Sequence, residues 1–214
     1  NPLQFLDQRH FVEGCETTYV PATKPERLAE DIATAFATAR AKPGPVLLAL
    51  QNPMWEAPLP HGWHYAAHPV VPPPVPDPSQ IEALLALVAA GRRPILLAGR
   101  GAQRSGALPA IRALGKRMGA LLGTTLQARG AFADDEWSLG VLGGYASAGA
   151  ETLCHQADLV IGFGAEMGYY TTWGDALFPT ARLVQIDPSA RPRAPLRPPD
   201  LVLRTDATAA ARAL

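Results

Sequence analysis

Two hydrophobic textures alternate along the chain. Short, largely apolar runs occupy residues 46–50, 95–98, 120–125, 158–164, 181–187 and 201–203. A run without alternation, as over 95–98, suits a parallel strand covered on both faces. Between them lie stretches with helical spacing. Residues 25–41 place Leu28, Ile32, Ala35, Phe36 and Ala39 on one face, and 78–90 do the same with Ile81, Leu84, Leu85 and Val88. Further helices are expected over 107–118 and 147–155 and from 207 onward. From residue 77 strands and helices alternate regularly, which implies a parallel sheet with right-handed crossovers. The expected fold is α/β, a three-layer doubly wound parallel sheet of the Rossmann-like, nucleotide-binding kind.

The pattern is interrupted once. Residues 53–78 are dense in proline, including Pro72-Pro73-Pro74, and read as a stiff extended connector rather than a regular element. Before it, a mixed stretch over 1–23 offers a short strand at 17–20, followed by the helix 25–41 and a buried strand 46–50. The expected organisation is therefore a partial domain over 1–56, a linker over 57–77 and a second domain over 78–214. His61, His64 and His68 fall in the linker, but no fourth ligand lies near and nothing fixes their geometry, so packed or solvated histidines are expected rather than zinc.

Composition narrows the partners. Lysine plus arginine balance aspartate plus glutamate at 19 each over 214 residues, so no broad field attracts nucleic acid or an anionic membrane. No apolar run approaches the ~20 residues that span a bilayer. Cys15 and Cys154 show no framework spacing, which suits free thiols in a reducing, cytoplasmic setting. The first residues, 1–7, carry neither an initiator methionine nor a signal peptide, and read as a chain entered in the middle.

Chemistry in open parallel sheets gathers beyond the strand C-termini. After 95–98, Gly99-Arg100-Gly101 allows a tight turn, and Ser105 is placed to cap a helix starting near Ala107. After the next strand come Thr124-Thr125-Leu126; after 158–161, Gly162-Phe163-Gly164-Ala165; after 183–186, Asp187-Pro188-Ser189. Glycines permit close approach, threonines supply hydroxyls, and Asp187 can accept from a ribose or an amine. Alone, each is explained by turn geometry or capping; their recurrence at successive strand ends favours a nucleotide edge. Arg100, Gly101, Thr125, Leu126, Gly164 and Asp187 are the candidate cofactor-binding residues.

The run from Gly130-Ala131-Phe132 through Asp134-Asp135-Glu136-Trp137 to Leu142-Gly143-Gly144 resembles the central domain of thiamine-diphosphate-dependent enzymes of the acetolactate synthase-like group. Residues 94–101, 157–164, 183–188 and 199–206 agree with it in order and spacing. Residues 42–50 are similar to the closing helix and strand of that family's pyrimidine-binding domain. The resemblance implies a parent lyase or transferase that makes or breaks a carbon–carbon bond beside the carbonyl of a 2-oxo acid or similar substrate. It implies thiamine diphosphate and Mg2+ held by parts not found here: neither the activating glutamate nor the Gly-Asp-Gly with its downstream asparagine is present, and Gly174-Asp175-Ala176 reads as a loop. This section alone is expected to catalyse nothing. Its partners would be the remaining domains of the parent, in a homodimer or homotetramer.

In that family the central domain holds FAD or ADP, or has lost its cofactor. Glu166 stands where FAD-holding members carry arginine, and Gly144-Tyr145-Ala146 replaces a histidine-glycine, so FAD is disfavoured. The alternative is a stand-alone NAD- or ADP-binding regulatory or structural domain. An NAD oxidoreductase or deacylase would need an acid at the end of the second strand, and Thr124-Thr125 supplies none. Other residues are weaker candidates. Asp134-Asp135-Glu136 reads as solvated acids rather than a metal cluster, and Trp137 and Trp173 as loop packing rather than ring stacking. Arg191, Arg193 and Arg197 read as a crossover loop, and Cys154-His155 as lacking a third catalytic partner.

Overall fold

The chain folds as two units, Asn1–Pro72 and Pro73–Leu214, in a computed structural model that describes residues 6–41, 44–72, 74–189 and 197–214. In the first unit α1 (Gln8–Gly14) starts where the Asp7 carboxylate accepts the His10 N–H at 3.1 Å. β1 (Thr18–Ala22) follows. A single 3-10 turn, Pro25–Arg27, leads into α2 (Leu28–Ala41), which crosses back to β2 (Val46–Leu50). The two strands pair in parallel from Thr18 opposite Val46 to Ala22 opposite Leu50, and α2 is the crossover that parallel pairing requires. A short helix, α3 (Asn52–Glu56), closes the regular part of the unit.

Three expectations change here. The mixed N-terminal stretch contains α1, because Asp7 supplies the cap. The proline-dense region begins with a helix, because its proline sits in the first turn, where no intrahelical N–H is lost. And β2 is not buried: Ala49 alone is enclosed, and Leu50 is exposed.

The second unit runs α4 (Pro78–Ala90), β3 (Pro94–Ala98), α5 (Arg100–Ser105), α6 (Leu108–Met118) and β4 (Leu121–Thr124). It continues with a 3-10 turn at Leu126–Ala128, β5 (Ser138–Val141), α7 (Ala148–His155) and β6 (Leu159–Phe163). α8 (Tyr169–Thr172), β7 (Arg182–Ile186), β8 (Leu201–Leu203) and α9 (Ala207–Ala213) complete it. The strands form one six-stranded sheet in the order β5-β4-β3-β6-β7-β8, parallel throughout. The chain thus starts in the middle at β3, builds outward to β5, and returns to the other side of β3 with β6. Every residue of β3 and β6 is buried. Leu96 and Ala98 face a core with Leu84, Ile111, Leu114 and Ala210. Ile95 and Leu97 face a second core with Ala150, Cys154, Met167 and Phe178. Helices on one side, and α7 with the β6–β7 connection on the other, make the three layers. Each fully buried leucine contributes about 1.5–3 kcal/mol, which is why a run such as 95–98 specifies its place so firmly.

The ends of this unit are tied together. The Thr205 hydroxyl, 1% exposed as a residue, donates to the Pro74 carbonyl at 2.7 Å. The Gln80 side-chain amide donates to the Val202 carbonyl at 3.2 Å. No helix among the described residues is long and apolar enough to cross a membrane.

Candidate functional site at the C-terminal edge of the sheet

The sheet order puts the ends of β4, β3, β6 and β7 side by side, so all six candidate residues lie along one edge. At the usual strand spacing they span about 14 Å. β3 and β6 are the pair where the winding direction reverses, the position at which open α/β sheets form a ligand crevice.

The turn after β3 differs from the one expected. α5 begins at once, with Gly99 as its N-cap and Arg100 as its first residue. Ser105 is its last residue, and its hydroxyl donates back to the Ala102 carbonyl at 3.3 Å. Gly106, left-handed at φ 74, ends the helix. The helix expected from Ala107 is α6, which starts with a proline in its first turn and has no side-chain cap. Arg100 is exposed at the lip, and Gly101 lies half-buried behind it.

Gly101 and Gly164 meet directly. The Gly101 N–H donates to the Gly164 carbonyl at 2.9 Å, and the Gly99 N–H to the Phe163 carbonyl at 2.9 Å. Gly164 is left-handed at φ 54, and its own N–H donates to the Ile186 carbonyl at 2.7 Å. A Cβ on Gly101 would stand 2.7 Å from the Gly164 Cα, so the two turns touch with no room for side chains.

The neighbouring ends are also tied. The Thr125 N–H donates to the Ala98 carbonyl at 2.9 Å, and buried Thr124 donates its hydroxyl to the Gly140 carbonyl at 3.2 Å. Leu126, 43% exposed, opens the 3-10 turn. The Asp187 carboxylate accepts the Ser189 N–H at 2.9 Å and the Ser189 hydroxyl, a local turn that leaves it half-buried.

One feature of the edge escaped the sequence: a second close approach, at the end of β5. The Gly144 N–H donates to the Tyr170 carbonyl at 3.1 Å, and the Trp173 ring lies over Gly144, where a Cβ would come within 2.5 Å of it. Trp173, Gly174 and Asp175 are left-handed in succession, at φ 53, 64 and 67. Buried Thr172 braces this turn, its hydroxyl accepting the Asp175 N–H at 3.1 Å. The Gly143-Gly144 pair and the aromatic run Tyr169-Tyr170…Trp173 were the available signal.

The remaining candidates resolve into packing. Arg112 reaches Asp134 at 2.8 Å and Asp135 at 3.4 Å, so a guanidinium partners these acids. Its hydrogen bond holds the Asp134 carboxyl below the usual carboxylate range. Burial, with Glu151 adding to it, pushes the Cys154 thiol up to about 12, far from a nucleophile's range. His68 faces Glu30 at 3.3 Å, and a His64 ring nitrogen lies 3.1 Å from the Gly62 carbonyl. Arg197 donates to the carbonyls of Phe178, Pro179 and Ala181; Arg191 and Arg193 lie outside the described residues. A cleft of about 290 Å³ lined by Arg92, Arg93, Ile95 and Leu121 sits at the opposite end of β3 and β4, away from the candidate edge.

The order β5-β4-β3-β6-β7-β8, with its reversal at the strand pair that carries the glycines, defines a doubly wound, Rossmann-like α/β domain. The family model for the thiamine pyrophosphate enzyme central domain matches residues 81–214, and the chain belongs to that family. It is 31% identical over 209 residues to a protein of Pseudomonas aeruginosa described as a probable 2-ketoarginine decarboxylase, AruI, covering 97% of this chain and 37% of that protein. The acetolactate synthase large subunit of Parasynechococcus marenigrum is 31% identical over 181 residues, covering 77% of this chain and 28% of its own length. A thiamin diphosphate-dependent enzyme from Mycobacterium smegmatis superposes with a TM-score of 0.71 at 25% identity, over 92% of this chain and 38% of that one. The chain therefore spans well under half the length of the relatives it matches.

Proposed function

We propose that the chain is a middle section of a larger thiamine-diphosphate-dependent enzyme that makes or breaks a carbon–carbon bond beside the carbonyl of a 2-oxo acid or a similar substrate. In this reading residues 1–56 are the closing part of a pyrimidine-binding-like domain, 57–77 the linker and 78–214 the central domain. One observation carries it. Similarity to the Pseudomonas protein runs through 97% of the chain, well beyond the family model's 81–214, yet takes up only 37% of that protein. That relative is described as a probable 2-ketoarginine decarboxylase, which supports a 2-oxo acid as the substrate class.

The coenzyme itself does not fit the residues described. Its diphosphate needs a divalent cation held by converging ligands, but among the described residues no group of three or more His, Cys, Asp or Glu side chains could hold a metal ion, Asp134 and Asp135 face Arg112, and Asp175 faces the Thr172 hydroxyl at 3.1 Å. Thiamine diphosphate and Mg2+ are therefore assigned to the parent's other domains, and the chemistry to the coenzyme. This section positions those domains in a cytoplasmic homodimer or homotetramer. Arg100, Gly101, Thr125, Leu126, Gly164 and Asp187 lie along the edge at which doubly wound domains in general meet a nucleotide.

The test is turnover. Purified 1–214 with thiamine diphosphate and Mg2+ should release no CO2 from 2-oxo acids. The Pseudomonas relative with its matched section replaced by 1–214 should bind the coenzyme and release CO2 from 2-ketoarginine. Turnover by the section alone would overturn the proposal.

A further inference from the structure

We infer that the C-terminal edge of the central domain is closed by the chain itself, so that it takes no dinucleotide through its glycine turns. The inference rests on the family reading above and concerns only the ligand of that edge. In a dinucleotide-binding turn, glycines leave a bare backbone face and free N–H groups at which the pyrophosphate docks. Here both are occupied. Residues 164–173 run from the end of β6 to the end of β5 and fill the glycine cradle at each. At the first, the Gly101 N–H is held by the Gly164 carbonyl at 2.9 Å. A Cβ on Gly99 would collide with the Gly164 carbonyl oxygen, and one on Gly164 with the Ala102 nitrogen. At the second, the Gly144 N–H is held by the Tyr170 carbonyl at 3.1 Å, a Cβ on Gly143 would collide with that same carbonyl oxygen, and the Trp173 ring covers Gly144. The small residues make room for another stretch of backbone, not for phosphate.

The filling segment is anchored rather than poised to swing. Ala165 and Met167, 1% and 3% exposed, are part of the core beneath the sheet face, with Leu177 and Phe178 following them into it. Opening the edge would pull these side chains into water. The Thr172 brace fixes the far end through three successive left-handed residues. The segment also brings an exposed carboxylate, Glu166, to an edge that would have to welcome an anion.

Titration calorimetry of residues 1–214 with ADP, FAD and NAD, each up to about 1 mM, the weak end of specific affinity, should give no saturable heat. Hydrogen exchange should show the Gly101 and Gly144 amides protected, with the same rates when nucleotide is added. Saturable binding of any of the three, or exchange of those two amides at the rate of an open loop, would overturn the closure. ADP or FAD binding would leave the family assignment intact, whereas turnover by the section alone would overturn the fragment reading and leave the closure untouched.

Discussion

Gly164→Ala is the sharpest probe of the contact between the β3 and β6 turns. Two costs combine at this position. Its φ of 54 is left-handed, where a Cβ costs roughly 1–2 kcal/mol. The same Cβ would strike the Ala102 nitrogen and the Gly101 backbone, atoms that cannot rotate away, and overpacking of this kind costs about 1–3 kcal/mol. The sum is about 2–5 kcal/mol. Gly106→Ala separates the two costs, since Gly106 is equally left-handed at φ 74 but has nothing within 4 Å of its Cβ position. It should lose only the first part. Equilibrium urea unfolding followed by far-ultraviolet circular dichroism measures both. With a slope of about 2 kcal/mol per molar, the Gly164 variant should lose about 1–2.5 M in midpoint, and the Gly106 variant clearly less. Equal losses in the two variants would refute the reasoning, because the strand-end turns would then not be touching.

Two further predictions concern ionisation. A thiol reagent at pH 8 should modify exposed Cys15 promptly and Cys154 only after urea is added, because the buried thiol ionises near 12; two fast thiols in the folded protein would contradict that burial. The Asp134 carboxyl is held below its ordinary value by the hydrogen bond from Arg112 and then by the charge of that guanidinium. A depressed folded pKa contributes stability above the unfolded value near 4, and this is lost as pH falls through the folded value. Arg112→Gln should therefore flatten the fall in urea midpoint below pH 4 at low salt, and added salt should flatten the wild type in the same way, since the carboxylate is exposed. An unchanged acid profile in Arg112→Gln would remove that pair from the account.

How much of this could be read from the sequence depended on where each element's information sits. β3 and β6 were visible because every residue in them is apolar or glycine, and burial on both faces demands that. β5 was not visible, because four residues with a left-handed Gly140 in the middle look like loop, and only the pairing with β4 makes them a strand. The helix expected from Ala107 is α6, but α5 before it was missed, because its last residue Ser105 resembles an N-cap, whereas Gly99 caps by backbone shape without a side-chain bond. That the six candidate residues share one edge of the sheet was legible from the sequence, but which backbone groups meet there was not. Whether Gly101 faces a ligand or Gly164 depends on a contact between distant parts of the chain, and no local pattern records it. The proline rule misled at α3, where position within the first turn outweighed proline density.

The tie between Thr205 and Pro74 carries a consequence for how such a unit travels between proteins. The stretch that enters the second unit is clasped to the stretch that leads into its closing helix, so the fold is sealed near its own doorway. A body sealed this way can be spliced into a host polypeptide as a loop is, with its entry and exit neighbours left where they were. It can also change inside, losing a ligand or reshaping an edge, without tugging on what flanks it. A circular permutant that joins residue 214 to residue 74 and opens elsewhere in a surface turn should fold to the same sheet.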